Sequence, residues 1–135
     1  GFVFFGGGLS LGARRGYFWG QEGLFLGARR GFFKRIFLIY GEKNFVRGNH
    51  AHKKCSQFIL PIHGKIKIEY EGKDFKYIET LDYKKKESCY LKPLTWCKIK
   101  FLTNNSVIMV FCNREYEYKD YIENYKSFKK SVTKQ

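Results

Sequence analysis

From Lys34 onward, apolar and polar residues follow a period of two, the signature of half-buried strands. Ile36 to Tyr40 is a short apolar run, broken by Gly41-Glu42-Lys43-Asn44. Phe58 to Ile62 is a second run, closed by His63-Gly64. Ile66, Ile68 and Tyr70 then alternate with Lys65, Lys67, Glu69 and Glu71, which predicts a strand with one buried face. Glu71-Gly72-Lys73-Asp74 reads as a turn, and Phe75 to Leu81 returns as its hairpin partner. Trp96 to Phe101 alternates again, Asn104-Asn105 turns, and Val107 to Phe111 reads as a buried strand. Short strands at this spacing predict an all-β sandwich or jelly roll. Beyond Tyr118 the spacing turns helical. Tyr118, Tyr121, Ile122, Tyr125 and Phe128 share one stripe, which predicts a C-terminal helix over 118–130 packed on a barrel over 34–117.

Residues 1–33 differ in kind. They hold ten glycines, seven phenylalanines and one acid, Glu22. Leu11-Gly12-Ala13-Arg14-Arg15-Gly16-Tyr17-Phe18 is nearly repeated by Leu26-Gly27-Ala28-Arg29-Arg30-Gly31-Phe32-Phe33, but two copies are too few for a solenoid. Glycine at this density weakens strands and helices alike, so the segment carries no structural assignment. A chain of 135 residues is expected to form one domain, 1–135, with this atypical segment at its front.

Charge and cysteines narrow the setting. The net charge of +14 divides into +8 over 1–54 (10 basic, 2 acidic) and +6 over 55–135 (16 basic, 10 acidic). Such an excess favours an anionic partner: nucleic acid, a membrane surface or a phosphorylated small molecule. Ordinary solvated lysines are the plainer reading. Cys55, Cys89, Cys97 and Cys112 have no paired spacing and read as free thiols of a cytoplasmic protein. No apolar run approaches the ~20 residues of a membrane helix, and residues 1–9 lack the basic leader of a signal peptide.

The chemistry concentrates in Arg47-Gly48-Asn49-His50-Ala51-His52-Lys53-Lys54-Cys55-Ser56-Gln57, followed after six intervening residues by Gly64. This is the first-motif spacing of a cupin barrel. Histidines at i and i+2 of a strand point to one face, so His50 and His52 place two imidazoles side by side in a pocket. Such a pair suits metal ligation or proton transfer. For a metal, the glutamate position of metal-binding cupins holds Gln57, a poorer ligand, and the third histidine falls at Cys97 in Lys92-Pro93-Leu94-Thr95-Trp96-Cys97. For proton transfer, neutral imidazole titrates near ~6.5 and can act as a base, with the second ring as donor to a developing oxyanion. His63, before a turn glycine, reads as an ordinary solvent-facing residue.

Three motifs in order resemble the sugar 3,4-ketoisomerases, which act on dTDP-4-keto-6-deoxyglucose. Arg47 to Lys54 is similar to that family's RGxHAHK signature. Lys34-Arg35-Ile36-Phe37-Leu38-Ile39-Tyr40 is similar to its K-R-V-x-x-I-[YF] strand, and Tyr116 to Ile122 with Tyr125 and Phe128 to its Y-D-E-x-D-Y-I-x-x-Y-x-x-F ending. Toward the N-terminus, Arg15-Gly16-Tyr17-Phe18 with Glu22 keeps the family's arginine-to-glutamate spacing, although Ala13 replaces its aspartate. The resemblance implies a cupin jelly-roll β-barrel with a C-terminal helix. It also implies an isomerase, free of metal and cofactor, that moves a ketone from C4 to C3 of a dTDP-sugar through an enediolate in deoxysugar biosynthesis. His52 would be the base and His50 its partner. Arg15 and Arg47 would contact phosphate or sugar, unless they serve only as surface salt bridges. Tyr40 would line the pocket or simply pack, and Gln57 and Cys97 would complete the substrate site. Relatives pair as dimers by exchanging N-terminal strands, so a homodimer is expected. A basic nucleic-acid-binding module, argued from charge and the arginine-glycine-aromatic steps of 12–33, leaves the histidine pair unexplained. A metal-dependent cupin enzyme is opposed by Gln57 and Cys97.

Overall fold

In the computed structural model, residues 33–134 are described in full, together with the backbone of three strands nearer the N-terminus. Those strands are β1 (Phe2–Phe5), β2 (Gly8–Leu11) and β3 (Arg15–Tyr17). The strands that follow are β4 (Arg35–Gly41), β5 (Val46–His52), β6 (Gln57–His63), β7 (Lys65–Glu71), β8 (Lys76–Asp82), β9 (Glu87–Leu91), β10 (Trp96–Phe101), β11 (Ser106–Cys112) and β12 (Tyr121–Ile122). Helix α1 spans Tyr125–Thr133. β1 and β2 form a separate hairpin. The other ten strands form two five-stranded antiparallel sheets, ordered β12-β5-β10-β7-β8 and β3-β9-β6-β11-β4. This is the expected all-β jelly-roll barrel with a helix at its C-terminal end.

The core lies between the sheets. Ile66, Ile68 and Tyr70 from β7, Cys97, Ile99 and Phe101 from β10, and Ile108 and Val110 from β11 form its centre. The lysines and glutamates alternating with them on β7 are exposed or half-buried, as the period of two predicts. Gly64 turns the chain between β6 and β7 at φ +84°. A Cβ there would lie 2.4 Å from the Ser106 and Thr103 hydroxyls, which excludes a larger residue.

Two sequence expectations are corrected. The C-terminal stripe is not one helix over 118–130. Tyr118–Asp120 is a single 3₁₀ turn, and Tyr121–Ile122 is a strand pairing with His52 and Ala51. The helix starts only at Tyr125, after Asn124 caps it by accepting a hydrogen bond from the Ser127 N–H. Pairing with an open strand edge satisfies backbone groups that the first predicted turn would have left bare. The second correction is β9, absent from the sequence reading because Glu87-Ser88-Cys89-Tyr90-Leu91 does not alternate. It is buried along nearly its whole length between β3 and β6.

Helix α1 lies behind β5. Phe128, fully buried, and Val132 pack on Ala51 and Ile122, flanked by Leu94 and Trp96. Ala51 thus faces the helix. Its neighbours His50 and His52 point the opposite way, into the barrel.

Candidate active site

A bulge in β5 sets which side chains reach the barrel interior. Opposite β10, His50 pairs with Cys97 and Arg47 with Ile99, while the register shifts between Cys97 and Lys98. Cys97 and Ile99 both face the core, and directly paired residues share a face. Arg47 and His50 therefore lie on the same face although they stand three positions apart, a spacing that regular alternation would put on opposite faces. The extra residue is taken up at Gly48 (φ +91°) and Asn49 (φ +59°). A Cβ on Gly48 would come within 2.6 Å of the Cys97 carbonyl oxygen, so the position requires glycine.

His52 is held on every side. Its carbonyl accepts from the Leu94 N–H at 2.7 Å, and its backbone pairs with Tyr121. Its Nδ1 lies 2.9 Å from Asp120 Oδ2, both residues being buried. Asp120 also accepts from the backbone N–H of Lys54 at 2.7 Å and of Cys55 at 3.3 Å. Burial pushes the Asp120 carboxyl up, but the bonds from His52 and the two backbone N–H groups outweigh it and hold the group below its usual range. An ionised carboxylate at this distance makes Nδ1 the protonated nitrogen of His52. Nε2 then carries the lone pair, and it is buried with no hydrogen-bond partner among the described residues.

Burial lowers the pKa of His52, and the nearby His50 ring and Arg35 guanidinium add to this against the Asp120 bond. Burial likewise lowers that of His50. Both rings are neutral at pH 7. They meet edge-on, 5.0 Å between centroids, and Tyr121 packs against both at 5.1 and 4.4 Å. This is an aspartate-oriented histidine with a free acceptor, beside a second neutral imidazole. The arrangement can take up a proton and return it nearby.

The second sheet faces this pair with a cross-strand row: Arg35 on β4, Cys112 on β11 and Gln57 on β6. Cys112 Sγ accepts from Arg35 Nη2 at 3.4 Å and from Gln57 Nε2 at 3.5 Å. The Arg35 guanidinium stacks on Phe37 and Tyr116 and lies beside the Tyr121 side chain, joining the two sheets at the mouth of the barrel. Its Nε, buried, has no partner among the described residues. The Cys55 thiol donates to the Ser56 carbonyl at 3.4 Å and neighbours Cys112. The neighbouring Cys55 thiol, together with Arg35 and Gln57, lowers the Cys112 pKa despite burial, while Cys112 and burial raise that of Cys55.

Of the residues singled out from sequence, His50, His52 and Gln57 converge on the barrel interior. Cys97 stands across from His50 but is built into the core, its thiol pushed up to about 12 by burial, and it stays protonated. Arg47 is exposed at the rim. Tyr40 points outward, 70% exposed, on the outer face of β4 with Ile36 and Leu38; it does not line the pocket. β4 is apolar on both faces, and packing turned Phe37 and Ile39 inward, which left the other set outside. Arg15 has its backbone on β3 opposite Cys89, and its side chain lies outside the described residues, as does Glu22. His63 is exposed and bonded to the Asn105 carbonyl, as expected. The sequence reading missed Asp120, Tyr121 and Arg35 as site residues, although all three stand inside the motifs it quoted.

Of the four positions that hold the ion in metal-binding barrels, Gln57 offers only a neutral amide and Cys97 a protonated core thiol, a poor donor set for a divalent ion. A different group has donors close enough to share an ion: His52, Cys55 and Asp120, whose ligand atoms all lie within 4.8 Å of one another.

Residues 31–133 match the family model described as FdtA: WxcM-like, C-terminal. The chain is 30% identical over 102 residues to the TDP-4-oxo-6-deoxy-alpha-D-glucose-3,4-oxoisomerase of Aneurinibacillus thermoaerophilus, covering 75% of this chain and 73% of that protein. Among solved structures, it resembles QdtA, a sugar 3,4-ketoisomerase from Thermoanaerobacterium thermosaccharolyticum in complex with TDP. The TM-score is 0.70 at 30% identity, over 76% of this chain and 74% of that one. WlaRA, the TDP-fucose-3,4-ketoisomerase of Campylobacter jejuni, matches at TM-score 0.69 and 26% identity, over 74% of each chain. The rmlC epimerase of Mycobacterium tuberculosis shares the fold alone, at TM-score 0.62 and 13% identity over 72% of this chain and 54% of that one.

Proposed function

Starting from the fact that this chain belongs to the FdtA-like family of sugar 3,4-ketoisomerases, we propose that its substrate is TDP-4-keto-6-deoxyglucose and its product the corresponding 3-keto-6-deoxyhexose. The observation that carries the reading is the His52–Asp120 pair, buried on the inner face of β5 with Nε2 unbonded.

In this reading His52 Nε2 removes the proton at C3, which the adjacent C4 ketone acidifies. The resulting imidazolium is stabilised by the Asp120 carboxylate 2.9 Å away on the other side of the ring. Negative charge then develops on the enediolate oxygens. The Arg35 guanidinium, with its free Nε N–H, and the neutral His50 are the donors available to it. Return of the proton to C4, with the hydroxyl proton passing from O3 to O4, leaves the ketone at C3. The change is a redox-neutral exchange within one molecule, and His52 is regenerated. Arg47 at the rim, with Arg15, supplies guanidinium forks for the pyrophosphate. Gln57 borders the sugar, and Cys97 backs the pocket from the core opposite His50.

The β3–β9 pairing seen within one chain would form equally between two copies that exchange their N-terminal strands, giving the homodimer this reading includes. No helix among the described residues is long and apolar enough to cross a membrane; the reading includes a cytoplasmic enzyme, which four free cysteines support.

The test is incubation with TDP-4-keto-6-deoxyglucose in D2O and analysis of the sugar by NMR. A 3-keto product, with deuterium at C4 to the extent that the proton held by His52 exchanges with water, supports the mechanism. A sugar recovered with its ketone still at C4 refutes it.

A further inference from the structure

The group formed by His52, Cys55 and Asp120 has a composition the isomerase reaction does not call for. An imidazole nitrogen, a thiol sulfur and a carboxylate oxygen converge within 4.8 Å, on residues only 6%, 4% and 8% exposed. Proton transfer needs the histidine and the aspartate. It has no use for the Cys55 thiol.

The three donors are fixed before any ion arrives. His52 is locked between Tyr121 and Leu94, the Cys55 N–H is bonded to Asp120 Oδ2, and the Asp120 carbonyl accepts from Lys53 N–H at 2.8 Å. Tetrahedral zinc holds nitrogen, oxygen and sulfur at about 2.0–2.3 Å, so ligand atoms stand about 3.3–3.7 Å apart. Nδ1 and Oδ2 are already 2.9 Å apart, and the sulfur must close in by at most about 1 Å. A mixed nitrogen, sulfur and oxygen set excludes magnesium and calcium, which take oxygen ligands, and selects zinc or a similarly thiophilic divalent ion. This donor set is also distinct from the barrel-motif set of His50, His52, Gln57 and Cys97, sharing only His52.

We propose that His52, Cys55 and Asp120 form an inhibitory binding site for Zn²⁺, with the fourth position left to water. Binding replaces the Nδ1–H···Oδ2 hydrogen bond by two metal bonds. The Nδ1 proton moves to Nε2, so the nitrogen that should accept the substrate proton already carries one. The Cys55 thiol, which donates to the Ser56 carbonyl at 3.4 Å, releases its proton to solvent as sulfur binds the metal. The ion disables the base without touching the nucleotide. That consequence for turnover rests on the isomerase reading above, whereas the site itself does not.

The test uses full-length, untagged protein and Co²⁺ as an optical stand-in for Zn²⁺. One ion per chain should bind, with the near-ultraviolet charge-transfer band of a single Co–S bond, and Zn²⁺ should displace it. Added Zn²⁺ should lower kcat without raising KM for the sugar nucleotide, and EDTA should restore the rate. Cys55→Ala should turn over substrate normally and escape zinc inhibition. Changes to residues that merely support a ligand cost about 10–100-fold in metal affinity, so loss of the thiolate itself should cost more. Cys55→Ser, closer in volume, serves if the alanine variant folds poorly, and should also lose the sulfur band. A cobalt complex without that band, or a Cys55 variant that binds Zn²⁺ as tightly as the native protein, overturns the proposal. A protein that shows the Cys55-dependent band but does not isomerise the sugar leaves the site standing and overturns the functional reading instead.

Discussion

Replacing Asp120 by asparagine keeps the shape of the site and removes its charge, so it isolates what the carboxylate does. Oδ1 accepts from the Lys54 N–H at 2.7 Å, and Oδ2 accepts from His52 Nδ1 at 2.9 Å and from the Cys55 N–H at 3.3 Å. An amide offers one acceptor end and one donor end. With its oxygen toward Lys54, the NH2 faces His52 and forces Nδ1 to accept, which moves the ring proton to Nε2 and blocks the base. With its oxygen toward His52, the NH2 confronts the Lys54 N–H and leaves a donor unpaired. Each orientation therefore costs about 1–3 kcal/mol for a buried polar group without a partner. Each also deprives the imidazolium of its counter-charge. We expect kcat to fall by about 10²–10⁴, the range associated with loss of general-base function or of its correct tautomer. Because the Asp120 bond raises the pKa of His52, any residual activity should show its acid limb displaced to lower pH. Steady-state kinetics across pH, with thermal unfolding to confirm the fold, reads all three effects. A variant with native kcat and an unmoved acid limb would show that Asp120 neither orients nor charges the base.

His52→Asn should abolish nearly all turnover, by about 10²–10⁴, and leave TDP affinity measured by calorimetry within a few fold; near-native kcat would remove His52 from the role of base. In the native enzyme, kcat/KM should be flat above the usual histidine value of ~6.5 and fall with uptake of one proton below it, since burial places the folded pKa of His52 lower. Stability should decline in the same direction. The unfolded chain protonates His52 from ~6.5 downward while the folded chain resists, and Asp120 loses its stabilising ionisation only at more acid pH, below the ordinary carboxylate range. Urea titrations between pH 4 and 8 would show the slope, and a stability that rises on acidification would contradict the buried neutral pair. Light scattering should give about twice the 16.0 kDa chain mass, and a clean monomer at micromolar concentration would argue against strand exchange.

Local periodicity determined a good deal of this protein. The exposed lysines and buried isoleucines of β7, the shared face of His50 and His52, and the turn at Gly64 all follow from the two-residue repeat of a strand or from backbone freedom at one residue. Those properties need no knowledge of what lies across the barrel. The tertiary structure decided whatever depends on a partner distant in sequence. Asp120 lies 68 residues from His52, and its role arises only because β12 closes on the edge of β5. The same pairing cut the C-terminal stripe, whose spacing suits a helix, into a turn, a strand and a shorter helix: satisfying the backbone of an open edge outweighed periodicity. Tyr40 belongs to a strand that is apolar on both faces, so no pattern could say which face turns inward, and packing of Phe37 and Ile39 into the core left it outside. Arg35 and Cys112 met in the same way, by cross-strand register between β4 and β11. Spacing along a strand can bring two histidines together, but only closure of the barrel gives them a carboxylate, a guanidinium and a buried thiol.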